Sequence, residues 1–140
     1  MSFHAISKKT PRKDALAKVT GAERYASDIY LPNMLHARVL KSPYPHAIVR
    51  KIDTTKAEET GAVVITFKDV PNRLFCPRLV STPDATYKDW RVLTDKPAYV
   101  GEPIAAVAAE TEELSQKALE LIEVEYQVLE AVFEPLESMR

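Results

Sequence analysis

Cysteines, glycines and long apolar runs are all scarce in this sequence of 140 residues. It contains one cysteine, Cys76, and three glycines, and it has no long uninterrupted apolar run. A single cysteine excludes an internal disulfide and any metal or iron–sulfur site built from several cysteines. The absence of a run of about 18 apolar residues excludes a helical membrane span. Phosphate-binding loops need several glycines ahead of a helix, whereas the turn at 99–103 has one glycine ahead of a predicted strand.

Charge is balanced over the whole chain but not along it. The net charge is −1, yet residues 8–18 hold five basic residues and one acid, and nine glutamates lie in residues 110–140. A basic segment can bind nucleic acid, but this one has no interleaved aromatic residues. We therefore predict a solvated arm and no nucleic-acid partner. The amino terminus lacks the apolar core of a signal peptide, so we expect a cytoplasmic protein with no membrane partner.

Length and composition fit one globular domain. The 140 residues match the usual size of a single domain, and an apolar fraction of 46% is ordinary for this class. Residues 1–18 have little apolar periodicity, and we predict that they form an extended N-terminal arm. Residues 19–140 are predicted to form the single domain.

The clearest pattern lies between residues 99 and 129 and is typical of strand, helix, strand. Residues 104–109 are all apolar, as in a strand covered on both faces. Thr111 is a favourable helix N-cap, because its hydroxyl can accept a bond from a free N–H of the first turn. The apolar residues that follow have the spacing of one helix face: Leu114, Ala118, Leu121 and Ile122. From residue 123 the period becomes two, which predicts a strand.

A shorter strand–helix–strand pattern covers residues 48–67. Asp53 or Thr54 is predicted to cap its helix, and Gly61 is placed where a left-handed residue ends a helix. The proline-rich residues 68–97 follow and are predicted to wrap around the surface.

A turn and a strand precede these units. Pro32 and Asn33 are the residue types that favour the two central positions of a type II turn. Residues 35–39 then alternate between apolar and polar side chains, which predicts a half-buried strand.

Residues that could carry chemistry are few and scattered. The three histidines show neither an HExxH motif nor a Cys–His spacing, so we predict no metal site. His46 lies in a proline-rich loop and is predicted to hydrogen-bond the backbone of that loop rather than to act in acid–base catalysis. Glu102 is interpreted as a hydrogen-bonded loop carboxylate, with a buried carboxylate of raised pKa as the alternative. Cys76 is interpreted as a small apolar filler rather than a reactive thiol. The residues alone do not compose an active site.

Several short motifs, taken in order along the chain, nevertheless resemble one known domain. They are Arg12 and Asp14 with Lys18-Val19-Thr20-Gly21; Tyr25 with Asp28; Leu31 to Ala37; Lys41-Ser42-Pro43 with Pro45-His46-Ala47; Ile52-Asp53 with Ala57; Gly61-Ala62-Val63; Asp69-Val70-Pro71; Tyr99 to Pro103; Val107 to Glu110; and Val124-Glu125-Tyr126. Together they resemble the N-terminal α/β hammerhead domain of the molybdenum-binding large subunit of the xanthine dehydrogenase, aldehyde oxidase and carbon monoxide dehydrogenase family. The resemblance covers residues 11–136.

The resemblance implies an α+β fold, with a small mixed β sheet and two helices. It implies a place in molybdenum hydroxylases, oxidoreductases that act on purines, aldehydes, N-heterocycles or carbon monoxide. Molybdopterin, iron–sulfur clusters and FAD are then expected in the holoenzyme. The expected partners are the cofactor-binding remainder of the molybdenum subunit and the iron–sulfur and flavin subunits. One departure is Asn33, where the family usually has glycine; asparagine tolerates the same left-handed turn.

In that family the molybdopterin pocket and the catalytic glutamate follow the hammerhead domain. No catalytic, cofactor-binding or metal-binding residue is therefore carried over, and we predict that this chain binds no cofactor itself. A subunit interface is predicted at exposed loop residues outside the periodic pattern: Tyr44, Pro45, His46, Tyr99, Gly101, Glu102 and Pro103.

The leading interpretation is a non-catalytic scaffold domain or split subunit of a molybdopterin-dependent hydroxylase or dehydrogenase. The alternative is a stand-alone protein-binding or assembly module with the same fold and no redox role. An independently acting enzyme is a third interpretation, which the lack of an active site disfavours.

Overall fold

The computed structural model of the chain describes residues 11–77 and 88–139. Its contacts divide the chain into two units, residues 1–34 and residues 35–140. Residues 1–10 of the predicted arm and residues 78–87 of the predicted surface segment lie outside the described residues. Among the described residues, no helix is long and apolar enough to cross a membrane.

The described part of the first unit, residues 11–34, contains little regular structure. A helix, α1 (Ala15–Val19), is followed by a 3-10 helix (Ala26–Asp28). Over residues 15–18 this differs from the extended arm predicted for residues 1–18, because alanine and leucine favour helix and Asp14 pairs with Lys18 one turn later, at 2.5 Å. A domain boundary at residue 18 stays a prediction. The predicted turn is confirmed: Asn33 has φ of 60°, and the Met34 N–H donates to the Leu31 carbonyl at 3.2 Å.

The described residues of the second unit form five strands and three helices. The strands are β1 (His36–Lys41), β2 (Ala47–Asp53), β3 (Val63–Thr66), β4 (Pro103–Ala109) and β5 (Glu123–Val128). The helices are α2 (Thr55–Glu58), α3 (Glu112–Glu120) and α4 (Pro135–Ser138). The strands form a three-stranded sheet in the order β1-β4-β3 and a two-stranded sheet β2-β5, with every pair antiparallel. The predicted α+β class is confirmed, and its strands divide between two sheets.

Both predicted strand–helix–strand units are present, and each bridges the two sheets. In the first unit of this kind, β2 lies in the two-stranded sheet and β3 in the three-stranded one. In the second, β4 lies in the three-stranded sheet and β5 in the two-stranded one. Each helix therefore begins where the chain leaves one sheet and ends where it enters the other.

The main core lies between β4 and the helices α2 and α3. Ala105, Val107 and Ala109 project from one face of β4 and are at most 3% exposed. They pack against Ala57 of α2 and Ala118 of α3. The predicted covering of residues 104–109 on both faces is only partly observed, because Ala106 and Ala108 on the other face of β4 are half-buried.

The capping predictions for the two main helices are confirmed. The Thr111 hydroxyl accepts a bond from the Leu114 N–H at 3.1 Å, as expected of an N-cap. At α2 the N-cap residue is Thr54, and the carboxylate of the preceding Asp53 accepts from the Thr55 N–H at 3.1 Å. The helix ends at Glu58, and the left-handed Gly61 follows its C-cap Glu59, with φ of 86°.

The buried face of α3 is rotated from the predicted one. Ser115 is fully buried, with its hydroxyl donating to the Glu112 carbonyl at 2.7 Å, whereas Leu121 is only half-buried. Sequence periodicity favours the apolar Leu121, but the helix ends at Glu120 and Leu121 is its C-cap. A small hydroxyl that satisfies its own donor within the helix can replace an apolar residue in a tightly packed position.

Strand β1 is half-buried, as predicted, but two of its apolar side chains face outward. Ala37 and Val39 are exposed, whereas Arg38 and Leu40 are half-buried on the side of α3. The Arg38 guanidinium crosses that face to reach Glu112 of α3 at 2.5 Å. An arginine can cover an apolar surface with its stem while its charged head stays at the edge, so a polar residue lies on the core side here.

Candidate functional site

A groove of about 550 Å³ lies among three loops of the second unit. These loops precede β2, precede β4 and follow β5. The groove is lined by Pro45, His46, Ala98, Tyr99, Val100, Glu130, Ala131, Val132 and Phe133.

The loop before β2 is held by a buried serine. Ser42 is 2% exposed, and its hydroxyl donates to the Tyr44 carbonyl at 2.9 Å and accepts from the Tyr44 N–H at 3.1 Å. Two prolines, Pro43 and Pro45, restrict the backbone on either side of Tyr44. The loop is therefore a rigid edge of the groove.

His46 joins this loop to the segment after β5. Its Nδ1 lies 2.6 Å from the Glu130 carbonyl, and its own carbonyl accepts from the Leu129 N–H at 2.9 Å. A carbonyl can only accept, so Nδ1 carries a proton in this arrangement. His46 bonds backbone, as predicted, but the partner is the distant segment at 129–130 and not the backbone of its own loop.

The turn before β4 rests on a buried carboxylate. Glu102 is 8% exposed, and its side chain accepts from the Ala98 N–H at 2.6 Å. The Ser42 N–H donates to the Glu102 carbonyl at 2.9 Å, and the Gly101 N–H donates to the Ser42 carbonyl at 2.8 Å. Gly101 has φ of 95°, a conformation that favours glycine. The interpretation of Glu102 as a hydrogen-bonded loop carboxylate is confirmed.

Two pairs of aromatic rings lie in and beside the loops of the groove. The Tyr99 ring lies 5.9 Å from the Trp90 ring, centroid to centroid, and stays 39% exposed. Partial burial, and then the charge of Glu102, raises the pKa of the Tyr99 phenol, so this residue is neutral and can donate a hydrogen bond. Tyr44 instead packs edge-to-face on Tyr126 at 5.1 Å.

The family described as the aldehyde oxidase and xanthine dehydrogenase a/b hammerhead domain matches residues 20–130 of the chain. The chain belongs to this family. The match confirms the resemblance expected from the sequence motifs.

Three relatives are much longer chains that match this one over part of their length. A probable xanthine dehydrogenase subunit of Bacillus subtilis is 44% identical, in a match that covers 92% of this chain and 17% of that protein. The carbon monoxide dehydrogenase large chain of Afipia carboxidovorans is 30% identical over 94% of this chain and 16% of its own length. The crystal structure of the aldehyde oxidoreductase from Desulfovibrio desulfuricans superposes with a TM-score of 0.76 and 29% identity, covering 92% of this chain and 15% of that one. The hammerhead domain thus spans about a sixth of these relatives.

The structure brings together three of the seven predicted interface residues, namely Pro45, His46 and Tyr99. Tyr44 lies outside the groove lining, on Tyr126. Gly101, Glu102 and Pro103 hold the turn beneath the groove, and Pro103 starts β4 with its carbonyl accepting from the Thr94 N–H at 3.0 Å. That these residues form a subunit interface stays a prediction.

Sequence reasoning missed the third side of the groove, which comes from residues 130–133. The one available signal is the pair Val132-Phe133, which is apolar within an otherwise acidic end of the chain. Phe133 is 78% exposed, twice as much as Tyr99 in the same lining.

The groove lining does not suit molybdopterin, the cofactor that the family implies. Molybdopterin carries a phosphate, and the nine lining residues include Glu130 but neither lysine nor arginine. Within residues 11–77 and 88–139, no group of three or more His, Cys, Asp or Glu side chains is placed to hold a metal ion. The lining is instead apolar and aromatic with a few polar groups.

Proposed function

We propose that this hammerhead domain is a non-catalytic scaffold of a molybdopterin-dependent hydroxylase or dehydrogenase of the xanthine, aldehyde or carbon monoxide oxidising type. The observation that carries the proposal is the family match over residues 20–130 in a chain that spans 17% of the Bacillus subtilis relative. In this proposal the remainder of the large subunit carries the molybdopterin, and iron–sulfur and flavin subunits complete the enzyme. A fold alone does not fix a function, so the argument rests on the groove as well.

The groove supports docking of the cofactor-bearing remainder. Phe133 and Tyr99 present exposed aromatic surface, and aromatic side chains are common among the residues that dominate interface energetics. The hydrogen bonds of Ser42, His46 and Glu102 fix the loops around them. Such a pre-ordered surface loses little conformational entropy when a partner binds.

Domain replacement tests the proposal in a complete large subunit. This 140-residue chain replaces the matching region of the Bacillus subtilis relative, with a protease site placed after residue 140. We expect the assembled enzyme to contain molybdenum and the domain to stay bound after cleavage. We expect the 140-residue chain alone to contain no molybdenum, iron or flavin. Elemental analysis and absorbance spectra check both statements, and stoichiometric metal or flavin on the isolated chain would contradict the scaffold role.

Phe133→Ala and Tyr99→Ala then test the groove itself. Each should speed dissociation of the cleaved domain by about fivefold or more, because truncation of an interface aromatic weakens association by about 1 kcal/mol or more. Leu136→Ala is the matched control, since Leu136 is 77% exposed, like Phe133, but lies outside the groove. Tyr44→Ala is a less clean probe, because its ring contact with Tyr126 also stabilises the domain. Unchanged dissociation of both groove variants would show that the groove is not the docking site.

A further inference from the structure

The three-stranded sheet carries an exposed apolar face, separate from the groove. Directly opposed residues of an antiparallel sheet project from the same side, so the pairing places two rows on this face. The rows are Ala37–Ala108–Val63 and Val39–Ala106–Ile65. All six side chains are uncharged and apolar.

The larger side chains of this open face are well exposed. Val63 exposes 59% of its surface, and Val39 and Ile65 expose 42% each. Ile104, on the same side of β4, is fully buried, so the exposed face stops there. The opposite face is covered by α2 and α3, with Ala57 and Ala118 packed against β4. Branched side chains left in contact with water are unfavourable, and contiguous exposed apolar patches typically mark binding surfaces.

The open face has small side chains along its middle and branched ones along its two sides. In the two rows the central strand contributes Ala106 and Ala108, while the outer strands contribute the branched residues Val39, Val63 and Ile65. Neighbouring strands lie about 4.8 Å apart, so the two outer strands are about 10 Å apart. An α-helix with its side chains is about 10–12 Å in diameter, and small central residues let a helix approach closely.

The family relatives supply a candidate for the helix. The matched region makes up 17% of the Bacillus subtilis protein, so most of that polypeptide lies outside it and is covalently tethered to it. A tethered segment binds at high effective concentration, which favours it over a second copy of the chain. The absence of charge on the open face disfavours a nucleic acid or a strongly charged peptide.

We propose that an amphipathic helix from the remainder of the large subunit packs its apolar side on the open face of the β1-β4-β3 sheet. This inference rests on the proposed scaffold function and adds a second contact, with a helix as its partner. The three-stranded sheet would then be covered by helices on both of its faces.

Thiol accessibility tests the inference in the domain-replaced Bacillus subtilis protein, left uncleaved. Cys76→Ser removes the natural cysteine, and Val63→Cys then places a thiol on the open face. We expect maleimide to label Val63→Cys at least about tenfold more slowly in the full large subunit than in the 140-residue chain, because exposed groups react freely and covered ones only on opening. Lys117→Cys, at an exposed position on α3, is the control and should be labelled equally in both.

Three outcomes decide the inference. Equal labelling of Val63→Cys in the two proteins overturns it, even where Phe133→Ala shows that the groove docks. Protection of Val63→Cys together with unchanged dissociation of Phe133→Ala supports it and overturns the groove proposal alone. A dimer of the 140-residue chain in analytical ultracentrifugation that Val63→Lys abolishes would assign the open face to self-association and overturn the helix.

Discussion

Truncation of Val107 to alanine is the sharpest test of the core described above. Val107 is 1% exposed and lies in the middle of β4, opposite Arg38 of β1 and Val64 of β3. Both neighbouring strands are hydrogen-bonded to β4, so the backbone around the new cavity has little freedom to collapse.

The expected loss follows from the size of the change. Removing two buried methyl groups costs about 1.6 kcal/mol in transfer free energy, at about 0.8 kcal/mol each. A residual cavity of roughly 50 Å³ adds up to about 1 kcal/mol, at about 24 cal/mol per Å³. The free energy of unfolding should therefore fall by about 2–3 kcal/mol. For a chain of this size the melting temperature should fall by about 6–12 °C.

Urea unfolding of the 140-residue chain, followed by circular dichroism, measures this loss. Val128→Ala is the matched control, because the same two methyl groups are removed from a strand residue that is 55% exposed. Its free energy of unfolding should change by about 0.5 kcal/mol or less. Equal losses for the two variants would refute the placement of the core on this face of β4.

Two further predictions concern α3 and the tyrosine pair. Leu121→Ala should lower the free energy of unfolding by about 1–2 kcal/mol, which is less than truncation of a fully buried leucine costs, because Leu121 is a half-buried C-cap residue. In urea unfolding, a loss larger than that of Val107→Ala would contradict the observed helix end. Burial, and then the neighbouring Tyr44, raises the pKa of the Tyr126 phenol above its usual 10.0. The folded state therefore favours the neutral phenol. This contribution to the free energy of unfolding is present below pH 10 and is lost as the pH rises through the raised pKa. Tyr126→Phe should therefore lose less stability than the wild type between about pH 8 and about pH 11 in urea unfolding, and parallel losses would contradict it.

The features that local chemistry decides, namely a helix cap and two left-handed turns, were well predicted from the sequence. The hydroxyl of Thr111, the left-handed Gly61 and the turn at Asn33 act within a few residues of themselves, so a single sequence contains the whole cause. The faces of the strands were harder to predict. The pattern of β1 places apolar residues on one side, and the usual inference is that this side faces the domain core.

In β1 that inference is wrong, for a physical reason. Arg38 reaches Glu112, which lies 74 residues away in sequence, and only the fold makes that contact visible. The groove was partly predictable in the same sense. Pro45, His46 and Tyr99 come from segments that the sequence marks as rigid loops, whereas Phe133 is joined to them through the bond between His46 and the Glu130 carbonyl.

The composition of the core connects the fold to docking. Of the seven buried residues in the main cluster, five are alanines, namely Ala57, Ala62, Ala105, Ala109 and Ala118. Alanine buries one methyl group, worth about 0.8 kcal/mol, whereas a larger apolar side chain contributes about 1.5–3 kcal/mol. Larger apolar side chains such as Val63, Ile65 and Phe133 are exposed instead. A partner that covers them would add the apolar burial that the alanine-rich core lacks, so docking should stabilise the domain as well as attach it. The domain should then melt at a higher temperature within the large subunit than alone, and Phe133→Ala should reduce that difference without lowering the melting temperature of the isolated chain.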